Sequence, residues 1–164
     1  MDSEGRRGIM LKKFVGVDPD KCTGCRICEL VCSFEKEGVY NPRKSRIRVV
    51  RLGTVVNVAI TCRLCDEPAC VRACPRDALT QDENGVIRVD NDKCDGCGWC
   101  VEACEFGAIM IHPELGKAYV CDLCDGDPQC VKWCPEEALE LTTEEIVAQK
   151  ARISTTRKLF EEFV

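Results

Sequence analysis

The sequence predicts an α+β chain of short helices and small β-hairpins, organised by cysteines rather than by a large apolar core. Three observations carry this reading. All 16 cysteines of the 164 residues fall in four blocks, at 22–32, 62–74, 94–104 and 121–134. The blocks repeat in the order A, B, A′, B′: VDPDKCTGCRICELVCSF returns 72 positions later as VDNDKCDGCGWCVEACEF, and CRLCDEPACVRACPRDAL returns as CDLCDGDPQCVKWCPEEAL. The 45% hydrophobic content counts those cysteines, and with two Trp, two Tyr and five Phe the remaining apolar mass is small. Cross-links or metal centres must therefore help to hold the chain.

Taken in order, residues 1–13 read as an N-terminal tail. They show no apolar stretch or small-residue cleavage site of a secretory signal, and no hydrophobic run follows Arg6 and Arg7, so a cytoplasmic location is expected. Met10 is an alternative start. The runs FVGVDPDK and VIRVDNDK, one before each A block, read as strands closed by turns, with ALT, AIMI and ALEL after the blocks as their candidate partners. The segments CELVC, CVRAC, CVEAC and CVKWC each set two cysteines four apart, a rise of about 6 Å along a helix.

Between the first A and B blocks lie thirteen residues more than between their copies, largely the hairpin SRIRVVRLGTVVNVAIT around Gly53. Arg43, Lys44, Arg46, Arg48 and Arg51 crowd its first arm. They suit either a solvated edge that resists aggregation or a docking patch. After Leu141, Thr142 and Glu145 are spaced as a capping box for a helix over 143–152. A second short helix from Ser154 would carry Leu159, Phe160 and Phe163 on one face, offered to a partner.

Each A block reads C-x2-C-x2-C-x3-C, a run in which three thiolates hold one [4Fe–4S] cube and the fourth serves a neighbouring cube. The B blocks widen the second gap to four or five residues, each containing a proline. Sixteen thiolates supply four [4Fe–4S] clusters. Zinc ribbons also use C-x2-C units, but two by two rather than as a triplet with a distant fourth. Gly24 and Gly96, inside the A blocks, allow close backbone approach to the cluster sulfurs. His112 reads as a strand-end surface residue rather than a ligand, and Trp99 and Trp133 as packing against clusters.

A formal charge of −5 argues against nucleic acid as a main ligand, and no stretch is long and apolar enough for direct membrane insertion. No nucleophile–base pair or phosphate-cradling loop is visible, so the chain is not expected to be an enzyme by itself.

These blocks resemble the four-cluster ferredoxin subunits found beside dimethyl sulfoxide reductase, formate dehydrogenase, hydrogenase and carbon monoxide dehydrogenase catalytic chains. CSFEKEGVYNPRKSRIRV and CDLCDGDPQCVKWCPEEAL are most similar to the small subunits of tungsten aldehyde oxidoreductases and benzoyl-CoA reductases. The resemblance implies bacterial-ferredoxin-like modules over 14–142, with 43–61 as a hairpin insertion and 143–164 as a helical docking tail. It implies nested pairing, the first and fourth blocks forming one module and 62–104 the other, although the spacing alone equally permits sequential pairing.

Carried over residue by residue, the nested pattern gives Cys22, Cys25, Cys28 and Cys134 to one cluster, and Cys121, Cys124, Cys130 and Cys32 to a second. Cys62, Cys65, Cys70 and Cys104 fall to a third, and Cys94, Cys97, Cys100 and Cys74 to a fourth. Proline commonly follows the last cysteine of a block in this family. Pro75 and Pro135 conform, whereas Ser33 and Glu105 depart, which puts the loop shape there in question. The implied function is a relay of single electrons between a catalytic subunit, of tungsten or molybdenum pterin type, and a ferredoxin or other redox subunit. A free-standing polyferredoxin, a subunit of a nickel hydrogenase or carbon monoxide dehydrogenase, and a zinc-stabilised interaction module are the alternatives.

Overall fold

The computed structural model describes residues 12–53 and 56–161. Eight short strands and five helices follow one another as β1 (Phe14–Val17), α1 (Ile27–Glu37), β2 (Arg48–Leu52), β3 (Val56–Ile60), α2 (Ala69–Arg72), β4 (Leu79–Gln81), β5 (Ile87–Val89), α3 (Trp99–Glu102), β6 (Ile109–Ile111), β7 (Ala118–Val120), α4 (Gln129–Lys132), β8 (Leu139–Thr142) and α5 (Glu144–Glu161). The strands form four separate two-stranded antiparallel sheets: β1 with β8, β2 with β3, β4 with β5 and β6 with β7.

Three of those sheets are local hairpins. The fourth joins the two ends of the cysteine-bearing region, running Phe14 opposite Thr142 to Val17 opposite Leu139. The same backbone bond closes this long-range pair and the β4–β5 hairpin: Asp18 N–H donates to the Ala138 carbonyl at 2.8 Å, and Asp90 N–H to Ala78 at 2.8 Å. Two chemically equivalent units are thus made, one from adjacent segments and one from segments about 120 residues apart. In the helices the same nesting holds, α1 packing on α4 and α2 on α3.

The core is thin and mixed. Phe14, Ile47, Leu64, Leu79, Ile87, Ile109 and Leu139 are buried together with Cys28, Cys32, Cys62, Cys94, Cys100, Cys121 and Cys130. The Arg63 guanidinium lies over the Phe14 ring, 4.2 Å from its centre, shielding a face that so small a core leaves uncovered.

Some expectations need correction. The tail forms one helix, not two. Residues 144–161 contain neither Gly nor Pro to break it, and Thr156 Oγ1 donates back to the Arg152 carbonyl within the helix, at 2.9 Å. Its cap is Thr143, whose hydroxyl accepts from Ile146 N–H at 3.4 Å, whereas Thr142 ends β8 with its hydroxyl buried and unpaired. Phe163 lies outside the described residues. β7, which no strand pattern announced, is the partner of AIMI.

Candidate metal centres

The site grows from short loops that wrap cysteines. In both A loops an aspartate begins the turn: Cys22 N–H donates to the Asp18 carbonyl and Cys94 N–H to that of Asp90. Gly24 and Gly96 follow with φ of +70° and +74°. A Cβ on Gly96 would stand 1.9 Å from the Gly116 carbonyl oxygen, and one on Gly24 would stand 2.5 Å from Asn57 Oδ1. Glycine is needed here for its positive φ and because another segment presses on the loop.

The last cysteine of each block receives a backbone donor. Ala78, Ala108 and Ala138 N–H groups point at the Sγ of Cys74, Cys104 and Cys134, four residues back, at 3.3, 3.4 and 3.3 Å. Cys32 breaks the pattern because its helix does not stop. Ser33 stands where Pro75 and Pro135 stand in the B blocks, and α1 runs on to Glu37. Its fourth-position amide is spent inside the helix, and Arg46 N–H serves Cys32 instead, at 3.3 Å. Glu105, the other departure from proline, leaves the local pattern intact. Such N–H···S contacts are among the features that set a cluster's potential.

The thiols stand around cavities. Cys22, Cys25, Cys28 and Cys134 line one, closed by Val49, Ala59 and Leu139. Cys74, Cys94, Cys97 and Cys100 line another, with Leu79, Ile111 and Ala118. Burial pushes the Cys28 thiol up to about 12, helped by the Glu29 charge and by Cys25, with Cys134 also facing it. Cys62 is raised to about 11, chiefly by burial and then by Cys70, Cys65 and Cys104. Burial likewise raises Cys100 to about 11, with Cys94, Cys70 and Cys74 adding to it. Cys121 rises to about 12 through burial and the neighbouring Cys32 and Cys62. Cys130 is raised by burial and by Cys121, Cys32, Cys124 and Cys28.

Thiols so crowded keep their protons until a cationic group replaces them, the behaviour expected of metal ligands. Among the described residues, no three His, Cys, Asp or Glu side chains converge on a single-ion site. Rings of four thiols around a cavity instead suit a group wider than one zinc ion, whose ligand sulfurs all lie about 2.3 Å from a single point.

The charged hairpin covers the first cavity, and Lys44, Arg46, Arg48 and Arg51 are tied into the fold, while Arg43 is exposed. Arg46 pairs with Asp122, which also holds Lys36 at 2.9 Å. Lys44 reaches Glu114 at 2.7 Å. Arg48 donates to the Arg43 carbonyl, to Tyr119 at 2.9 Å and to the Met110 sulfur at 2.9 Å, and Arg51 donates to the Gly24 carbonyl. Fully buried Glu29 completes the attachment, accepting from Val49 N–H at 2.7 Å and from Arg26 at 2.8 Å.

One other residue differs from expectation. His112 is 4% exposed and not on the surface. Its Nδ1 accepts from the Glu114 and Leu115 N–H groups of the turn to β7, and its Nε2 lies 3.6 Å from Glu37. Trp99 and Trp133 are 63% and 64% exposed in the chain itself.

A cysteine-rich chain of paired hairpins and short helices, with thiols ringed around cavities, is an iron–sulfur protein of ferredoxin type. The 4Fe-4S dicluster domain family matches residues 54–144, and the 4Fe-4S binding domain family matches residues 14–40. The polyferredoxin-like subunit of aliphatic sulfonate oxidoreductase from Pyrococcus furiosus is 46% identical over 131 residues, covering 77% of this chain and 76% of its own. The thiosulfate reductase electron transfer subunit PhsB of Salmonella typhi is 30% identical over 137 residues, 75% of this chain and 71% of its own. Among solved structures, the active site complex BamBC of benzoyl coenzyme A reductase aligns at 28% identity and a TM-score of 0.49, covering 87% of this chain and 89% of that one.

The chain belongs to the 4Fe-4S dicluster family of ferredoxin-type proteins. It is an iron–sulfur electron-transfer subunit of oxidoreductase complexes, binding several [4Fe–4S] clusters and not itself catalytic. No helix among the described residues is long and apolar enough to cross a membrane.

Proposed function

We propose that the chain carries four [4Fe–4S] clusters in a line and relays single electrons along it, between a catalytic oxidoreductase subunit and a redox carrier such as a ferredoxin, in the cytoplasm. The ligand sets are the nested ones: Cys22, Cys25, Cys28 and Cys134; Cys32, Cys121, Cys124 and Cys130; Cys62, Cys65, Cys70 and Cys104; Cys74, Cys94, Cys97 and Cys100. The domain is 14–142, with α5 as a docking tail.

The observation that carries this reading is the placing of Cys134 with Cys22, Cys25 and Cys28 around one cavity, on segments flanked by β1 and β8, whose pairing closes the chain. A linear order is supported by the neighbours that link the sets: Cys28 faces Cys130, Cys121 faces Cys62, and Cys100 faces Cys70. The only exposed cysteines, Cys25 and Cys97, belong to the two end sets. Bound clusters supply reversible one-electron chemistry. The residues described here supply spacing, N–H donors to sulfur and exclusion of water.

Cysteine exchange tests the pairing. Cys25→Ser and Cys134→Ser are expected to perturb the same cluster signal in low-temperature paramagnetic resonance, and Cys32→Ser a different one. Loss of a signal shared by Cys25→Ser and Cys74→Ser would instead establish sequential pairing. For the partner, we favour a tungsten or molybdenum pterin oxidoreductase, in keeping with the likeness to oxidoreductase electron-transfer subunits such as that of thiosulfate reductase. Elemental analysis of the assembly isolated anaerobically from its own cell is expected to find tungsten or molybdenum beside iron. Nickel would point to hydrogenase or carbon monoxide dehydrogenase, and iron alone in a monomer to a free polyferredoxin.

A further inference from the structure

Because the chain is duplicated, its two A loops can be compared position by position, and they show different chemistry to solvent. Thr23, Arg26, Ile27 and Leu30 of the first loop become Asp95, Gly98, Trp99 and Glu102 in the second. In the first loop Arg26 sits at φ +66°, a conformation unfavourable for a side chain. It is held there by its ion pair to buried Glu29, beneath a hairpin whose Asn57 and Arg51 close on Gly24. That arginine is committed to the protein's own packing.

The second loop is met instead by the turn before β7, which presses on Gly96. Gly98, at φ +84°, has open space where a side chain would stand. Cys97 is exposed, Trp99 is 63% exposed, and Asp92, Asp95 and Glu102 are exposed around them, with Arg76 3.5 Å from Asp95 and Lys93 paired to Asp90 at 3.6 Å. Trp99 and Glu102 lie one turn apart on α3 and therefore share a face. Leu115, 61% exposed, lies in the turn that presses on Gly96, next to Gly116. An exposed indole among carboxylates, beside a solvent-accessible thiol, suits a protein surface with an apolar centre and a lysine and arginine rim.

We infer that the Trp99 face is the docking surface for a redox protein whose contact face is basic around an apolar centre, and that this is the end of the relay at which electrons are exchanged with it. The inference rests on the electron-relay reading. One electron crosses per encounter: one side is oxidised by one, the other is reduced by one, and no bond forms and no proton moves.

The test uses the full cluster-loaded chain and ferrocytochrome c, a basic protein that in its reduced state accepts no further electron, so that affinity is read apart from turnover. Calorimetry at low and at high salt is expected to show binding to the unaltered chain that weakens with salt. Asp95→Asn with Glu102→Gln should weaken it about tenfold at low salt, and Trp99→Ala should weaken it at both. A matched loss of charge elsewhere, Glu35→Gln with Glu83→Gln on exposed positions, should change it less than about twofold. Equal weakening by both double variants, or no binding by the unaltered chain, overturns the docking surface. A separate control addresses the relay itself: if neither dithionite nor a stronger reductant such as titanium(III) at alkaline pH bleaches the visible absorption of the chain, the electron-relay reading fails, whatever the binding shows.

Discussion

At the residue scale, the positions that matter most are those where one segment presses on a cysteine loop. Gly96→Ala adds a methyl where the Gly116 carbonyl already stands and forces a positive φ on a side chain. The conformational part alone costs about 1–2 kcal/mol, and the collision is with backbone, which cannot swing aside. Iron content is expected to fall short of the unaltered chain, with loss confined to one cluster signal. Gly98→Ala, at a similar φ but with open space around it, should retain full iron. Arg46→Ala leaves Asp122, whose side chain is 16% exposed, with Lys36 and the Cys124 N–H as its remaining partners. A loss of about 1–3 kcal/mol is expected, read as a shortened half-life of the visible chromophore on heating under anaerobic conditions.

Glycines at such sites were legible in the sequence, although for a different reason. The A-block spacing suggested close approach to cluster sulfur, whereas the pressing groups are Gly116 and Asn57, segments that spacing cannot bring together. His112 was misplaced for a related reason. A histidine before a proline looks like a strand end at the surface, and only the return of β7 beneath it buries the ring.

Among the elements, those tied to the cysteine blocks were readable. β1, β4, β5, β6 and β8 lie where the β-like runs flank the blocks, because alternation and turn residues are local signals. β7 was missed: AYV is too short to show a period, and its pairing with β6 settles its state. The arginines of the β2–β3 hairpin defied sequence reading because their partners, Met110, Tyr119 and Asp122, lie 62 to 76 residues away. The hairpin is thus a clamp between the two halves. α5 has the opposite character. Val147 is its one residue packed against the core, while Ile146, Ile153, Leu159 and Phe160 are exposed. Removal of residues 144–164 is expected to leave iron content and thermal half-life nearly unchanged while abolishing co-purification with the catalytic subunit. A large loss of iron would show instead that the helix supports the chain's own fold.

For the whole molecule, the repeat order A, B, A′, B′ was plain in the sequence, but the pairing of blocks was not. Both nested and sequential pairings satisfy the spacing; the proposed nested one is supported by one short sheet, β1 with β8, formed by segments with no local signal for each other. That closure bears on manufacture. A ribosome releases the chain from one end, so the strand at Phe14–Val17 emerges more than a hundred residues before the strand it must pair with. The β4–β5 hairpin, by contrast, can close within a few residues of being made. The middle of the chain is therefore equipped to receive iron while synthesis is still in progress. On the proposed nested assignment, Cys22, Cys25 and Cys28 wait, reduced and uncapped, until Cys134 arrives. During that interval the first A block is open to oxygen, and the segment that seals it follows more than a hundred residues later.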